Sequence, residues 1–521
     1  MRIPVLDAAQ SAEWDARART RDAIPSRVLM ESAGRAVAHV LARAYPDRLR
    51  EGVLVVTGHG NNGGDGWVTG RALAALGVPV WALEVQHERS ADCDANRALA
   101  LAQGVEPWTE AAGDAPGVVI DALLGTGAQG PPKGPIAELA ERVARHRGPV
   151  VAVDGPTGLD LSSGEAFGPV RATLTVTFGG LRRGHLLARD WCGTVVVCDI
   201  GFPAADPDWP VLVTDREAGR LLPGFEADMH KGRRGRVVVV GGAEGMSGAA
   251  LHAASAALAA GAGLVRLATT EGTVRAAQAH LPDALTASTA LGPDIEPELE
   301  SAIEWADAIV LGPGLGRGQD RAEFVRRVLE RAEVPVIIDA DALHAGLENL
   351  TAGRAPRVFT PHPGEFAAMF PELGERVGGD RFGAASAALG QTGPASVNLA
   401  GLGGTSYALL LKGVPTLVGD GAGPLRVVVA GNPALATGGS GDLLAGFIGT
   451  FLARDLRPGD AAVLGAVVLG RGAELASREF TVRSTRPADV LAALPELWRR
   501  LAEPAAYDPP VLARLEPPAL V

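Results

Sequence analysis

Residues 53–68 read Val53-Leu54-Val55-Val56-Thr57-Gly58-His59-Gly60-Asn61-Asn62-Gly63-Gly64-Asp65-Gly66-Trp67-Val68. The apolar, β-branched start predicts a short buried strand, and the apolar spacing from Val68 to Leu76 predicts a helix. A strand that enters a helix through a glycine loop aims backbone N–H groups and a helix N-terminus at an anion. Gly58, Gly60 and Gly63 fit G-x-G-x-x-G, a weak signal by itself in a glycine-rich chain. Asn61, Asn62 and Asp65 make the loop more specific, because they supply donors and oxygens that a plain phosphate loop does not need. The competing structural reading is a turn capped by Asx side chains.

Working outward, similar apolar runs at Val78–Leu83, Val118–Asp121, Val150–Asp154, Leu174–Phe178 and Val195–Asp199 alternate with helical patterns. The pattern restarts with Arg236–Val240 and continues at Leu264–Ala268, Ala308–Leu311, Val336–Asp339, Arg357–Thr360 and Ala408–Leu411. Strands alternating with helices predict an α/β fold with a mostly parallel sheet covered on both faces. The restart predicts two domains, 1–220 and 221–500, each a three-layer sandwich. The proline- and alanine-rich tail after Ala502 is expected to be poorly ordered.

Composition narrows the function classes. The 521 residues are 47% hydrophobic and 21% charged, which suits packed cores and excludes a disordered chain. A formal net charge of −12 argues against a nucleic-acid or anionic-membrane surface. Cys93, Cys192 and Cys198 show neither metal spacing nor a disulfide framework. No signal-peptide pattern and no membrane-length apolar run appears, so a cytoplasmic setting with small-molecule partners is expected, in a homo-oligomer.

In the first half, two further loops follow strand ends: Asp121 with Leu124-Gly125-Thr126-Gly127-Ala128-Gln129-Gly130-Pro131, and Asp154-Gly155-Pro156-Thr157-Gly158. Loops at the carboxyl ends of parallel strands gather in one crevice. Oxygens of Asn62, Asp121 and Thr157 suit a hard cation there, and Asp154 is left as an acid/base or orienting group. The loop from Gly60 to Gly66, these two loops and the upstream Leu29-Met30-Glu31-Ser32-Ala33-Gly34 together resemble the NAD(P)H-hydrate epimerase family, over about residues 1–215. The resemblance implies that Asn61, Asn62, Gly63, Gly64 and Asp65, with Gly125 to Pro131, line a hydrated dinucleotide. It further implies that Asn62, Asp121 and Thr157 hold potassium and that Asp154 takes part in epimerisation. Gly155 stands where the family usually has an aliphatic residue, and Thr157 where serine is common.

In the second half, Gly438-Gly439-Ser440-Gly441-Asp442 precedes an apolar helix. Consecutive N–H groups at a helix start form an anion hole, and a carboxylate just after it is placed to take a proton from a hydroxyl aligned with a phosphoryl group. This half resembles the ribokinase-like superfamily. Within it, the loop Gly312 to Gly316, Asp339-Ala340-Asp341-Ala342-Leu343, His362-Pro363-Gly364-Glu365 and Lys412-Gly413 resemble the ADP-dependent NAD(P)H-hydrate dehydratase family, over about residues 225–495. The resemblance implies that Lys412, Gly413, Val414, Pro415 and Thr416, with Gly438 to Gly441, bind the nucleotide. Ala249, Gly314, Gly316, His362 and Asp442 would face the hydrated cofactor, with ADP as co-substrate and Mg2+ as its counterion. Val414-Pro415 replaces the family's usual Ala-Gly pair, and Pro415 lacks a backbone donor.

The resemblance implies a bifunctional repair enzyme that interconverts the R and S hydrates of NADH and NADPH and dehydrates the S form, giving AMP and phosphate. The other reading is a small-molecule kinase of the ribokinase superfamily with a non-catalytic amino-terminal binding domain, since the anion hole and Asp442 serve either reaction.

Overall fold

The computed structural model describes residues 2–109, 116–391, 399 and 406–520. Two compact units divide the chain: 1–212 with 506–518, and 213–505 with the last three residues.

In the first unit the sheet runs, edge to edge, Val511–Leu515, Thr194–Cys198, Leu174–Phe178, Val150–Val153, Val118–Ala122, Val53–Thr57, Val80–Glu84, Glu106–Pro107. All pairs are parallel except the first. Alternate residues of Val53–Thr57 enter different cores, as the strand's period of two requires. Val53 and Val55 pack with Val37, Leu41 and Leu73, while Leu54 and Val56 pack with Ala140 and Val143. Helices therefore cover both faces, giving three layers.

The tail is a correction to the sequence reading. Val511–Leu515 is an antiparallel strand on Thr194–Cys198, with Ala513 and Leu515 buried. Four of its five residues are apolar, and its pairing with Thr194–Cys198 outweighs the flanking prolines.

In the second unit the strands pair in the order Arg426–Val428, Thr416–Gly419, Tyr407–Leu411, Arg357–Phe359, Val336–Ile338, Ala308–Leu311, Arg236–Val240, Leu264–Thr269, Leu285–Ser288. The two pairs made by Thr416–Gly419 are antiparallel and the rest parallel. Val237 and Val239 face Ser247–Ala259 and Ser440–Leu452, two helices whose small residues permit contact at backbone distance. A Cβ on Gly446 would stand 2.1 Å from Ala253 O, so glycine is required there. Pro297–Trp305 covers the opposite face. Among the described residues no helix is long and apolar enough to cross a membrane.

Candidate active sites

The glycine loop of the first unit is mostly helix. The helix starts at Asn61, not Val68, and runs Asn61–Ala74. Its glycines are explained by close approach. A Cβ on Gly63 would stand 2.0 Å from Gly58 O, one on Gly64 2.5 Å from Met30 Sδ, and one on Gly66 2.5 Å from Ala122 Cβ. Gly63 and Gly64 are thus buried where the helix meets its neighbours, while Asn61, Asn62 and Asp65 line a cavity of about 590 Å3. The same cavity is lined by Gly125, Thr126, Gly127, Ala128 and Asp154. Gln129, Gly130 and Pro131 are outside its wall, as are Asp121 and Thr157.

Asp154 follows Val150–Val153 with φ of +64°, a left-handed conformation uncommon for a residue with a side chain. Its carboxylate is held from several sides. Oδ2 accepts from Thr126 N at 2.8 Å and Thr126 Oγ1 at 2.5 Å, Oδ1 accepts from Thr177 Oγ1 at 3.2 Å, and Arg182 Nη2 is 3.5 Å from Oδ1. Burial pushes this carboxyl up, but the Arg182 charge and the Thr126 bonds outweigh it and leave the pKa below the ordinary value. Asp65, on the same cavity wall, goes the other way: burial and the charges of Asp154 and Asp15 raise its pKa well above the ordinary aspartate value. The two carboxyls of the cavity are thus shifted in opposite directions, the separation that acid/base pairs need.

Arg182 was not found by sequence reasoning. No motif marks it in the sequence, yet the fold buries Arg182 in the cavity wall, with Nε donating to Thr126 Oγ1 at 3.0 Å and Nη1 to Gly180 O at 3.0 Å. His185 was missed too. Nε2 lies 2.8 Å from Asp154 O, and burial lowers its pKa to about 4, so it is neutral near pH 7 and fixes the Asp154 backbone.

Asp121 and Thr157 are joined directly. Asp121 is fully buried, with Oδ2 accepting from Thr157 N at 2.8 Å and Oδ1 from Thr157 Oγ1 at 2.8 Å. Burial raises its pKa to about 6, and its hydrogen-bond partners, Thr157 and Leu123, carry no positive charge. Asn62 Oδ1 faces the Gly125 loop, 3.2 Å from where a Cβ on Gly125 would stand, and its buried Nδ2 has no partner. The space that a side chain at Gly155 would take is filled by Leu161, whose Cδ1 lies 2.5 Å from a Cβ built there. The loop is therefore packed without an aliphatic residue at 155.

The second site sits at the carboxyl ends of four neighbouring strands: Ala308–Leu311, Val336–Ile338, Arg357–Phe359 and Tyr407–Leu411. Gly439, with φ of +94°, caps the helix Ser440–Leu452, so Asp442 lies in its first turn, where a carboxylate favours the helix dipole. Lys412 Nζ is 3.0 Å from Asp339 Oδ1 and 3.4 Å from Glu365 Oε2. A Cβ on Gly441 would stand 3.6 Å from Lys412 Nζ and 3.7 Å from Asp339 Oδ2, so the glycine keeps open the gap between helix start and ion pair. Burial raises the Asp442 pKa to about 7, Asp339 adds to it, and Lys412 opposes it. A carboxyl near neutrality beside an anion-binding helix start is suited to general base work.

Ala249 and Gly314 meet: a Cβ on Gly314 would stand 3.2 Å from Ala249 Cβ. Gly316 N donates to Asp341 Oδ2 at 3.0 Å. His362 caps the helix Pro363–Met369, its Nδ1 accepting from Gly364 N at 3.0 Å and Glu365 N at 3.2 Å, while Nε2 of the half-exposed ring lies 3.5 Å from Glu365 Oε1. Lys412 to Pro415 link the two strands of an antiparallel hairpin, with a cis bond between Val414 and Pro415 and Val414 exposed, and Thr416, first in the next strand, donates from Oγ1 to Gly413 O at 3.1 Å. Asp339 and Glu365, the partners of Lys412, lie in motifs visible in the sequence, but only the strand order shows that they converge.

Two α/β units, each with a tuned carboxyl at a glycine-rich helix start, define a two-domain α/β enzyme with nucleotide-type sites. The description of NAD(P)H-hydrate dehydratase matches residues 237–496, and that of the YjeF-related protein N-terminus matches residues 26–184. A bifunctional NAD(P)H-hydrate repair enzyme of Moorella thermoacetica is 34% identical, over 96% of this chain and 97% of its own. Another from Pyrobaculum aerophilum is 36% identical, over 96% and 98%. The chain belongs to the bifunctional NAD(P)H-hydrate repair enzyme family. Among solved structures, an ADP/ATP-dependent NAD(P)H-hydrate dehydratase of Bacillus subtilis, co-crystallised with ATP and Mg2+, aligns with a TM-score of 0.49 at 29% identity, over 57% of this chain and all of that one.

Proposed function

We propose that the first unit interconverts the R and S hydrates of NADH and NADPH and that the second dehydrates the S hydrate at the expense of ADP. The observation that carries this reading is the set of three tuned carboxyls: Asp154 with its pKa held down and Asp65 with its pKa raised on the wall of one cavity, and Asp442 raised to about 7 near Lys412 in the other unit.

In the first unit Asp65 protonates the ring hydroxyl, which leaves as water. The Asp154 carboxylate stabilises the cationic ring and takes the proton of a water returning to either face, and that proton returns to Asp65 through solvent, so the hydroxyl carbon is exchanged between its two configurations and both carboxyls are reset. Thr126 and Arg182 keep Asp154 aligned. Asn62, Asp121 and Thr157 would hold potassium. The fit is supported by a fully buried carboxylate with only neutral partners and by the unpartnered end of the Asn62 amide, which a half-turn replaces with oxygen. A bound cation would supply fixed positive charge under the Gly125 loop.

In the second unit Asp442 takes the proton of the ring hydroxyl as its oxygen attacks the β-phosphoryl group of ADP, releasing AMP. The phosphate then leaves with its C–O electron pair, a proton is lost from the adjacent ring carbon, and the double bond returns. N–H groups of Gly438 to Gly441 and Lys412 receive the phosphoryl oxygens. Asp339 would help to hold Mg2+ together with the nucleotide phosphates, and the ion would supply positive charge to the transferred phosphoryl group. The fused test is direct: purified protein with ADP and mixed hydrates should restore reduced-nicotinamide absorbance from both epimers. Phosphorylated product without restored absorbance would favour a small-molecule kinase instead.

A further inference from the structure

Next to Gly316 and Asp341 the second unit carries a smaller cavity, of about 230 Å3, walled by Arg317, Gly318, Arg321, Asp341 and His344. That is too little for a whole dinucleotide, and it suits one polar group. Asp341 is already engaged: Oδ1 accepts from Arg317 Nε at 2.8 Å and Oδ2 from Gly316 N at 3.0 Å. One guanidinium therefore neutralises it. Arg321 remains, its Nε 3.8 Å from where a Cβ on Gly316 would stand, and among the described residues no acidic side chain pairs with it. His344 Nε2 is buried without a partner, and burial, with Arg317 nearby, lowers the His344 pKa, keeping the ring neutral and able to donate. The helix Gln319–Arg331 starts at the same wall, with Gly318 as its cap and no side-chain cap bond.

We infer that this cavity is a phosphate subsite for the hydrated dinucleotide, with Arg321 and His344 Nε2 as its ligands and Arg317 at its rim. The inference rests on the dehydratase reading, in which Gly314 and Gly316 border the nicotinamide end of the same molecule. Guanidinium forks suit phosphate oxygens, and an unpaired guanidinium with an unpaired imidazole N–H supplies donors that the fold itself leaves unused. Two phosphates offer this chemistry: the pyrophosphate bridge, present in both hydrates, and the 2′-phosphate, present only in the NADPH form.

The experiment uses the full chain and the variants Arg321→Gln and Arg321→Lys, with the hydrates of NADH and NADPH as separate substrates. Arg321→Gln should raise the hydrate KM roughly tenfold, as expected for loss of one charge-assisted contact, with kcat held within about twofold and the KM for ADP unmoved. Arg321→Lys should recover part of the loss. A rise with both hydrates assigns the pyrophosphate, and a rise with the NADPH hydrate alone assigns the 2′-phosphate. An unmoved KM for both hydrates, or an equal rise in the KM for ADP, overturns the subsite. Wild-type protein that turns over neither hydrate overturns the dehydratase reading itself, and the subsite with it.

Discussion

Arg182 Nη2 stands 3.5 Å from Asp154 Oδ1, and Arg182 Nε donates to the Thr126 hydroxyl, which itself donates to Asp154 Oδ2. One buried guanidinium thus acts on the carboxylate twice, through charge and through the threonine. Arg182→Met removes both effects, and the Asp154 pKa rises. If ionised Asp154 is the working form, activity is lost as pH falls through its pKa, so the acid limb of the epimer-exchange profile should move to higher pH. Arg182→Lys should bring the limb part of the way back. Exchange measured by NMR against pH decides it, and an unmoved limb would remove Arg182 from the tuning of Asp154.

Asp442 has a pKa raised to about 7. Its ionised form is the base, so dehydration should rise with pH through about 7. A carboxyl with a raised folded pKa binds its proton more tightly in the folded state. The stability this gives is full below the unfolded pKa and is lost as pH rises through the folded one. Asp442→Asn should therefore slow dehydration by about 10²–10⁴ while raising the melting temperature near pH 8, with the gap closing toward pH 5. Epimer exchange should be untouched. A variant that is slower and no more stable at high pH would argue that Asp442 is already ionised.

Asp121, with a pKa raised to about 6 and only neutral hydrogen-bond partners, gives the first unit a buried charge at neutral pH. Its contribution also falls as pH rises through about 6, and a cation bound by Asn62, Asp121 and Thr157 restores it. Potassium should stabilise the wild type near pH 8, more than sodium does, and little near pH 5. Asp121→Asn should abolish the potassium increment. Calorimetry with matched potassium and choline chloride checks this. An increment that survives in the variant places the cation elsewhere.

The parts of this architecture that were readable in the sequence are those set by local pattern. The strands Leu174–Phe178, Arg236–Val240 and Ala308–Leu311 begin and end where their apolar runs do. The start of the helix Asn61–Ala74 was misread because glycine propensity argues for a loop. Gly63, Gly64 and Gly66 are tolerated in that helix because Gly58 O, Met30 and Ala122 leave no room for a side chain. The meeting of Asp121 with Thr157 follows from loops at the carboxyl ends of parallel strands, as expected from the sequence, whereas the convergence of Lys412 with Asp339 and Glu365 depends on strand order, which no local pattern encodes. The burial of Arg182 was hidden for the same reason.

The tail gives the last prediction. Val511–Leu515 covers the edge of Thr194–Cys198, Ala513 and Leu515 are buried, Arg43 Nη1 donates to Asp508 Oδ2 at 2.8 Å, and Thr194 Oγ1 donates to Glu516 Oε2 at 2.9 Å. Residues beyond the second unit's last helix thus complete the first unit's sheet. Ending the chain at Ala505 removes one buried leucine and a ladder of backbone bonds, a loss of about 2–4 kcal/mol. That should lower the melting transition of the first unit by roughly 5–15 °C. Dehydratase activity at moderate temperature should persist, while epimer exchange becomes heat-labile. The truncated chain would also carry an unpaired edge at Thr194–Cys198, a template for association between chains. Calorimetry and light scattering on the truncated protein test both consequences. An unshifted first-unit transition would mean that the strand decorates the sheet without stabilising it.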